Sequence, residues 1–92
     1  MEFEWDEAKA SSNLKKHGVA FNIAVRVFRD IRRVEEQDVG DYGGEVRWKT
    51  VGLVNIQEIV VIYTELEDSL RIISARRAET HERKGYWQNR NV

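Results

Sequence analysis

The sequence predicts an α+β fold: a short N-terminal strand, a two-helix hairpin, an antiparallel meander sheet and a C-terminal helix, with the helices packed on one face of the sheet. Three observations predict it. Apolar residues recur with helical spacing up to Phe28 and at alternate positions from Ile31 onward. The later apolar runs are joined by connections too short for a parallel crossover. Capping residues flank the first helical stretch and precede the last.

Element by element, Glu2 to Trp5 alternates, with Phe3 and Trp5 on one side, and reads as a strand. Asp6 stands at a helix N-cap position. Glu7 to His17 follows, with acid in its first turn and base in its last, and Gly18 is the left-handed stop. Phe21, Ala24, Val25 and Phe28 form the apolar stripe of a second helix that closes before Asp30. Ile31 to Glu36 is the weakest strand, and Asp41 to Gly44 is a turn cluster. Glu45 to Val51 alternates and is expected to stop at Gly52. Ile56 to Glu65 is the most apolar strand and the expected sheet centre, and Leu70 to Arg76 returns antiparallel after the Glu67-Asp68-Ser69 turn. Thr80 is the expected cap of a helix from His81 to about Gln88.

Composition bounds the function. At 92 residues the chain is sized for one domain, residues 1–92, and without cysteine it has neither a disulfide framework nor a thiolate zinc site. No metal site and no cofactor are expected. The longest apolar run, Ile59 to Tyr63, is strand-sized, and Met1 to Asp6 lacks the basic-then-apolar pattern of an export signal, so the expected compartment is the cytoplasm without membrane association. Net charge is −1, unlike the strongly basic balance of a general nucleic-acid coat protein. The charge is unevenly spread. Residues 30–68 carry +4 and −10, whereas residues 69–92 carry +6 and −2, enough for a local cationic patch or for a dipolar surface with no partner.

Several chemistries lack their residues. Gly40 to Gly44 has no following Lys-Ser/Thr and opens no helix, so it is not a phosphate loop. No serine sits in a nucleophile elbow, and no carboxylate pair stands out as a glycosidase dyad. What remains is a set of cations and phenols. Strand alternation puts Arg47 and Lys49 on the face opposite Trp48 and Thr50, while Arg76 and Arg77 close the last strand just before the helix that carries Tyr86. Such a set can hold a phosphodiester and stabilise the added charge of a phosphorane, as RNA cleavage without a metal requires. His17, Glu45, a lysine or Tyr86 are the groups available to move protons. Each has a plainer reading: the arginines pair with Glu58, Glu65 or Glu82, His17 favours a helix C-terminus, and Trp48 belongs to the core.

Taken together, Phe3 to Lys9, Asn13, Lys16-His17-Gly18-Val19, Phe21 and Ala24 resemble the opening of BrnT-type toxins. Gly44 to Trp48, Gly52, Arg71 to Ala78, Glu82-Arg83 and Tyr86 are similar to the same family in order. The resemblance implies a RelE-like fold and the toxin half of a bacterial type II toxin–antitoxin pair, an endoribonuclease that arrests growth. It implies a cognate ribbon-helix-helix antitoxin in a 2:2 complex, with operator DNA contacted only through that antitoxin. Carried over by position, the resemblance gives roles to Arg47 and Lys49 on the sheet, to Arg76 at the end of the last strand and to Tyr86. The expected catalytic residues are Arg47, Arg76, Tyr86 and His17. Lys16, Lys49 and Arg77 would add positive field for RNA. The competing expectation is a non-enzymatic module acting as corepressor with its antitoxin, in which the apolar sheet surface and Trp87 matter and the arginines are bystanders.

Overall fold

The computed structural model describes residues 1–88. Strands β1 (Glu2–Glu4), β2 (Val34–Asp38), β3 (Arg47–Val54), β4 (Gln57–Glu65) and β5 (Ser69–Arg77) form one sheet in the order β1-β5-β4-β3-β2, and helices α1 (Glu7–His17), α2 (Phe21–Ala24) and α3 (Thr80–Gln88) pack on it. The sheet is mixed rather than wholly antiparallel. β2 to β5 pair antiparallel, while β1 lies parallel to β5 because α1 and the rest of the chain separate the two. As the sequence indicates, β4 is central.

Capping fixes α1. The Asp6 carboxylate accepts a hydrogen bond from the Lys9 N–H at 3.0 Å, and Gly18, at φ 72°, returns its N–H to the Leu14 carbonyl at 2.9 Å. The second helix is shorter than its stripe suggests, a single α-turn followed by a 3-10 turn over Val25–Arg29. The tighter turn still buries Phe21, Ala24 and Val27.

Several boundaries move, among them the start of β3, at Arg47 rather than Glu45, and the end of β2, at Asp38 rather than Glu36. β2 begins at Val34, leaving Ile31 exposed. β3 runs through Gly52 to Val54 because the 3-10 turn lies against it: a Cβ on Gly52 would stand 2.6 Å from Val27 Cγ2. Asn55, at φ 58°, and Ile56 form the β3–β4 turn, so Ile56 lies outside the strand expected to hold it. At α3, Thr80 is already helical and its hydroxyl accepts from Arg83. The Glu82 carboxylate instead reaches back to the Glu79 N–H at 2.8 Å, the return half of a capping box placed one residue earlier.

The largest correction concerns the helices, which lie on both faces. On the hairpin face, Phe21, Ala24 and Val27 pack with Val54, Ile59, Val61, Tyr63, Ile72 and Ala75, and Trp48 and Phe28 close the margins. Ile72 and Ala75 share this face although three residues apart, because a bulge opposite Ile62 and Tyr63 shifts the alternation. On the other face Tyr86 of α3 packs with Val51, Val60 and Ala78, with Val34, Leu53 and Ile62 alongside. Among the described residues no helix is long and apolar enough to cross a membrane.

Candidate active site on the α3 face

β3 sends Arg47 and Lys49 to the α3 face, and Arg76 leaves β5 on the same side, paired with Val60 in the intervening strand. The capping box puts Glu82 between them. Arg76 donates from both terminal nitrogens to the two Glu82 oxygens, at 2.7 and 2.8 Å, and Lys49 Nζ stands 2.6 Å from Oε2. The Glu82 side chain is 3% exposed, while those of Arg76 and Lys49 keep 31% and 21%. A buried carboxylate therefore holds two cations from beneath, while the exposed Glu36 and Glu79 stand 3.6 Å from Lys49 and 3.8 Å from Arg76.

The protonation states follow from this geometry. The bidentate Arg76 bond, aided by Lys49 and the Glu79 N–H, overcomes the cost of burial and holds the Glu82 carboxyl far below its ordinary range. Lys49 and Arg76 are raised by the same bonds to Glu82 against the opposing effect of burial, so both stay charged. Arg47 lies two residues before Lys49, its Nε 2.9 Å from a Glu45 oxygen and its guanidinium 4.1 Å from the Tyr42 ring centre. Beside this row opens a cleft of ≈ 310 Å³, lined in part by Val34, Glu36, Lys49, His81, Glu82 and Tyr86.

Tyr86 is buried, and its hydroxyl donates to Asp30 Oδ2 at 2.5 Å. The same oxygen accepts the Leu53 N–H at 2.8 Å. Burial would raise the Asp30 carboxyl, but the bonds from Tyr86, Leu53 and Arg32 outweigh it and the net shift is downward. Tyr86 thus ties α3 to the end of the 3-10 turn across the sheet. Trp87 stacks edge-on against Tyr86 and donates its indole N–H to Glu58 at 2.8 Å.

The structure thus brings together Lys49 and Arg76, with Arg47 along the same face and Tyr86 lining the cleft. It does not bring in His17, Lys16 or Arg77. His17 and Lys16 end α1 on the hairpin side, and Arg77, opposite Ile59, leaves β5 on that side as well. None of the three lines the cleft or makes a side-chain hydrogen bond or ion pair among the described residues. Three contributors escape the sequence reading. His81 borders the cleft, Asp30 is 56 residues from Tyr86, and Asn13 is buried with its amide bonded to both the N–H and the carbonyl of Ala75. Only the Glu79-to-Glu82 spacing carries a local signal. Glu79, His81 and Glu82 hold possible metal-ligand atoms within 4.8 Å of one another, but both Glu82 oxygens are already taken by cations, a poor donor set for a metal ion.

This geometry defines a class: a small α+β protein whose sheet carries a row of cations, each held by a carboxylate, beside a cleft. The family follows from comparison. Residues 5–82 match the family model described as ribonuclease toxin, BrnT, of type II toxin–antitoxin system, and the chain belongs to that family. The matched span includes Arg47, Lys49, Arg76 and Glu82 and ends before Tyr86. Comparison with curated proteins gives no match.

Proposed function

We propose that the protein is a metal-independent endoribonuclease toxin with a RelE-like arrangement, cutting RNA by attack of a 2′-hydroxyl on the adjacent phosphate and leaving a 2′,3′-cyclic end. The reading rests on Lys49 and Arg76 converging on one buried carboxylate. Their heads are fixed before substrate arrives, so little reorganisation is needed as charge grows on the phosphorane. Arg76 and Arg47 hold and neutralise the phosphate, and Lys49 adds field. His81 is assigned the proton transfer in place of His17, since it borders the cleft and an imidazole can both accept and donate a proton. Tyr86 positions α3 through Asp30. A cognate ribbon-helix-helix antitoxin neutralises the toxin in a 2:2 complex in the cytoplasm, and the toxin's net charge of −1 fits operator contact made by the antitoxin.

The test is incubation of antitoxin-free protein with a defined RNA in excess chelator, beside Arg76→Ala and His81→Ala. Cyclic-phosphate fragments from the parent, with a rate lowered about 10²–10³-fold in Arg76→Ala and about 10²-fold or more in His81→Ala, are expected. Full activity of a folded Arg76→Ala protein overturns the assignment of Arg76. Absence of cleavage by the parent favours the corepressor reading.

A further inference from the structure

The second face of the molecule carries a different surface. Where the end of α1 and the start of α2 meet the β3–β4 turn, a groove of ≈ 380 Å³ opens, lined chiefly by Leu14, Val19, Ile23, Val54, Ile56 and Ile59. Its lining contains no carboxylate and no aromatic ring. Three of its apolar side chains stand in water: Ile56 is 91% exposed, Leu14 49% and Ile23 38%. Lys15, Lys16 and His17 make up the last turn of α1 after Leu14, and Arg77 is the strand partner of Ile59. Arg26 and Arg29 line the adjoining cavity, which shares Val54 and Asn55 with the groove. None of these six makes a side-chain ion pair among the described residues, in contrast to Arg47, Lys49 and Arg76.

We infer that this groove is the docking site for an acidic amphipathic helix of the cognate antitoxin. The inference rests on the family reading, in that a type II toxin has an antitoxin. An apolar floor with a rim of unpaired cations is complementary to a helix with apolar residues at i and i+4 and carboxylates flanking them. The groove has no backbone for strand addition, because β3 and β4 are paired along it and the Asn13 amide occupies the N–H and carbonyl of Ala75 on β5. RNA is disfavoured because the groove has no ring on which a base could stack. The groove and the cleft lie on opposite faces, so the antitoxin grips the toxin away from the phosphate-binding residues.

The experiment is a calorimetric titration of purified antitoxin into the parent and into the double variant Ile56→Asp, Leu14→Glu, with RNA cleavage and urea unfolding measured on both. Both positions are exposed, so an unchanged unfolding midpoint is expected. The inference requires at least a 100-fold weaker Kd for the double variant, with parental RNA cleavage that the antitoxin no longer silences. An unchanged Kd overturns it. So does retained antitoxin binding with lost cleavage, which makes the groove an RNA surface. If the parent cleaves no RNA, the ribonuclease reading fails while the titration still decides the groove.

Discussion

The two faces of the sheet are held by different forces. Under the hairpin, Phe21, Ala24 and Val27 meet Val61, Ile72 and Ala75 in a core that is almost wholly apolar, and Arg26, Arg29 and Arg77 on that side make no side-chain ion pair among the described residues. Under α3 the apolar cluster is small, and the helix is secured by Glu82 on Arg76 and Lys49 and by Tyr86 on Asp30. Burial is indifferent to direction, whereas a buried carboxylate fixes the angle and height of two cations. The α3 face is therefore suited to chemistry, and the hairpin face to stability and to a partner.

This contrast can be broken at either face. The largest effect is expected from Phe21→Ala, which removes a fully buried ring from the hairpin core and costs about 3–5 kcal/mol in urea unfolding. Glu82→Gln comes next. It leaves two cations without their carboxylate and costs about 2–3 kcal/mol, less than a fully buried pair because Arg76 and Lys49 keep 31% and 21% exposure. Asn13→Ala strands the Ala75 N–H and carbonyl and costs about 1–3 kcal/mol by the same measurement.

The pH response separates the faces more finely. The Glu82 carboxyl is lowered from an ordinary 4.5, so its stabilising contribution is present above that pH and is lost as pH falls through the lowered value. Between about pH 5 and about pH 2 the parent should lose more stability than Glu82→Gln, whose residue 82 does not titrate. Equal slopes in pH-dependent unfolding would mean that the triad contributes nothing to holding α3.

Local signals were legible in the sequence and distant ones were not. The α1 caps, the three-strand meander and the separation of Arg47 and Lys49 from Trp48 all follow from spacing within a few residues. The side of the sheet that α3 occupies does not, since it depends on Tyr86 meeting Asp30 from 56 residues away. Gly52 looked like a strand end because glycine usually weakens strands, yet here its missing side chain admits Val27. Arg47 and Lys49 follow from alternation and Arg76 from its place at a strand end, and Glu82 is one of three acids offered as a partner for the arginines; that it takes Arg76 and Lys49 together is settled only by the tertiary fold. His17 drew attention as an imidazole at a helix end, and only the tertiary fold places it away from the cleft while bringing His81 to its edge.

Arg76 and Arg77 are neighbours in sequence and leave the sheet on opposite faces, so they give the most direct test of the division. The measurement is the single-turnover rate of RNA cleavage by Arg76→Ala and Arg77→Ala, each checked for an unchanged fold. The account predicts a loss of about 10²–10³-fold for Arg76→Ala and a far smaller change for Arg77→Ala. Equal losses, or the larger loss at Arg77, would contradict it.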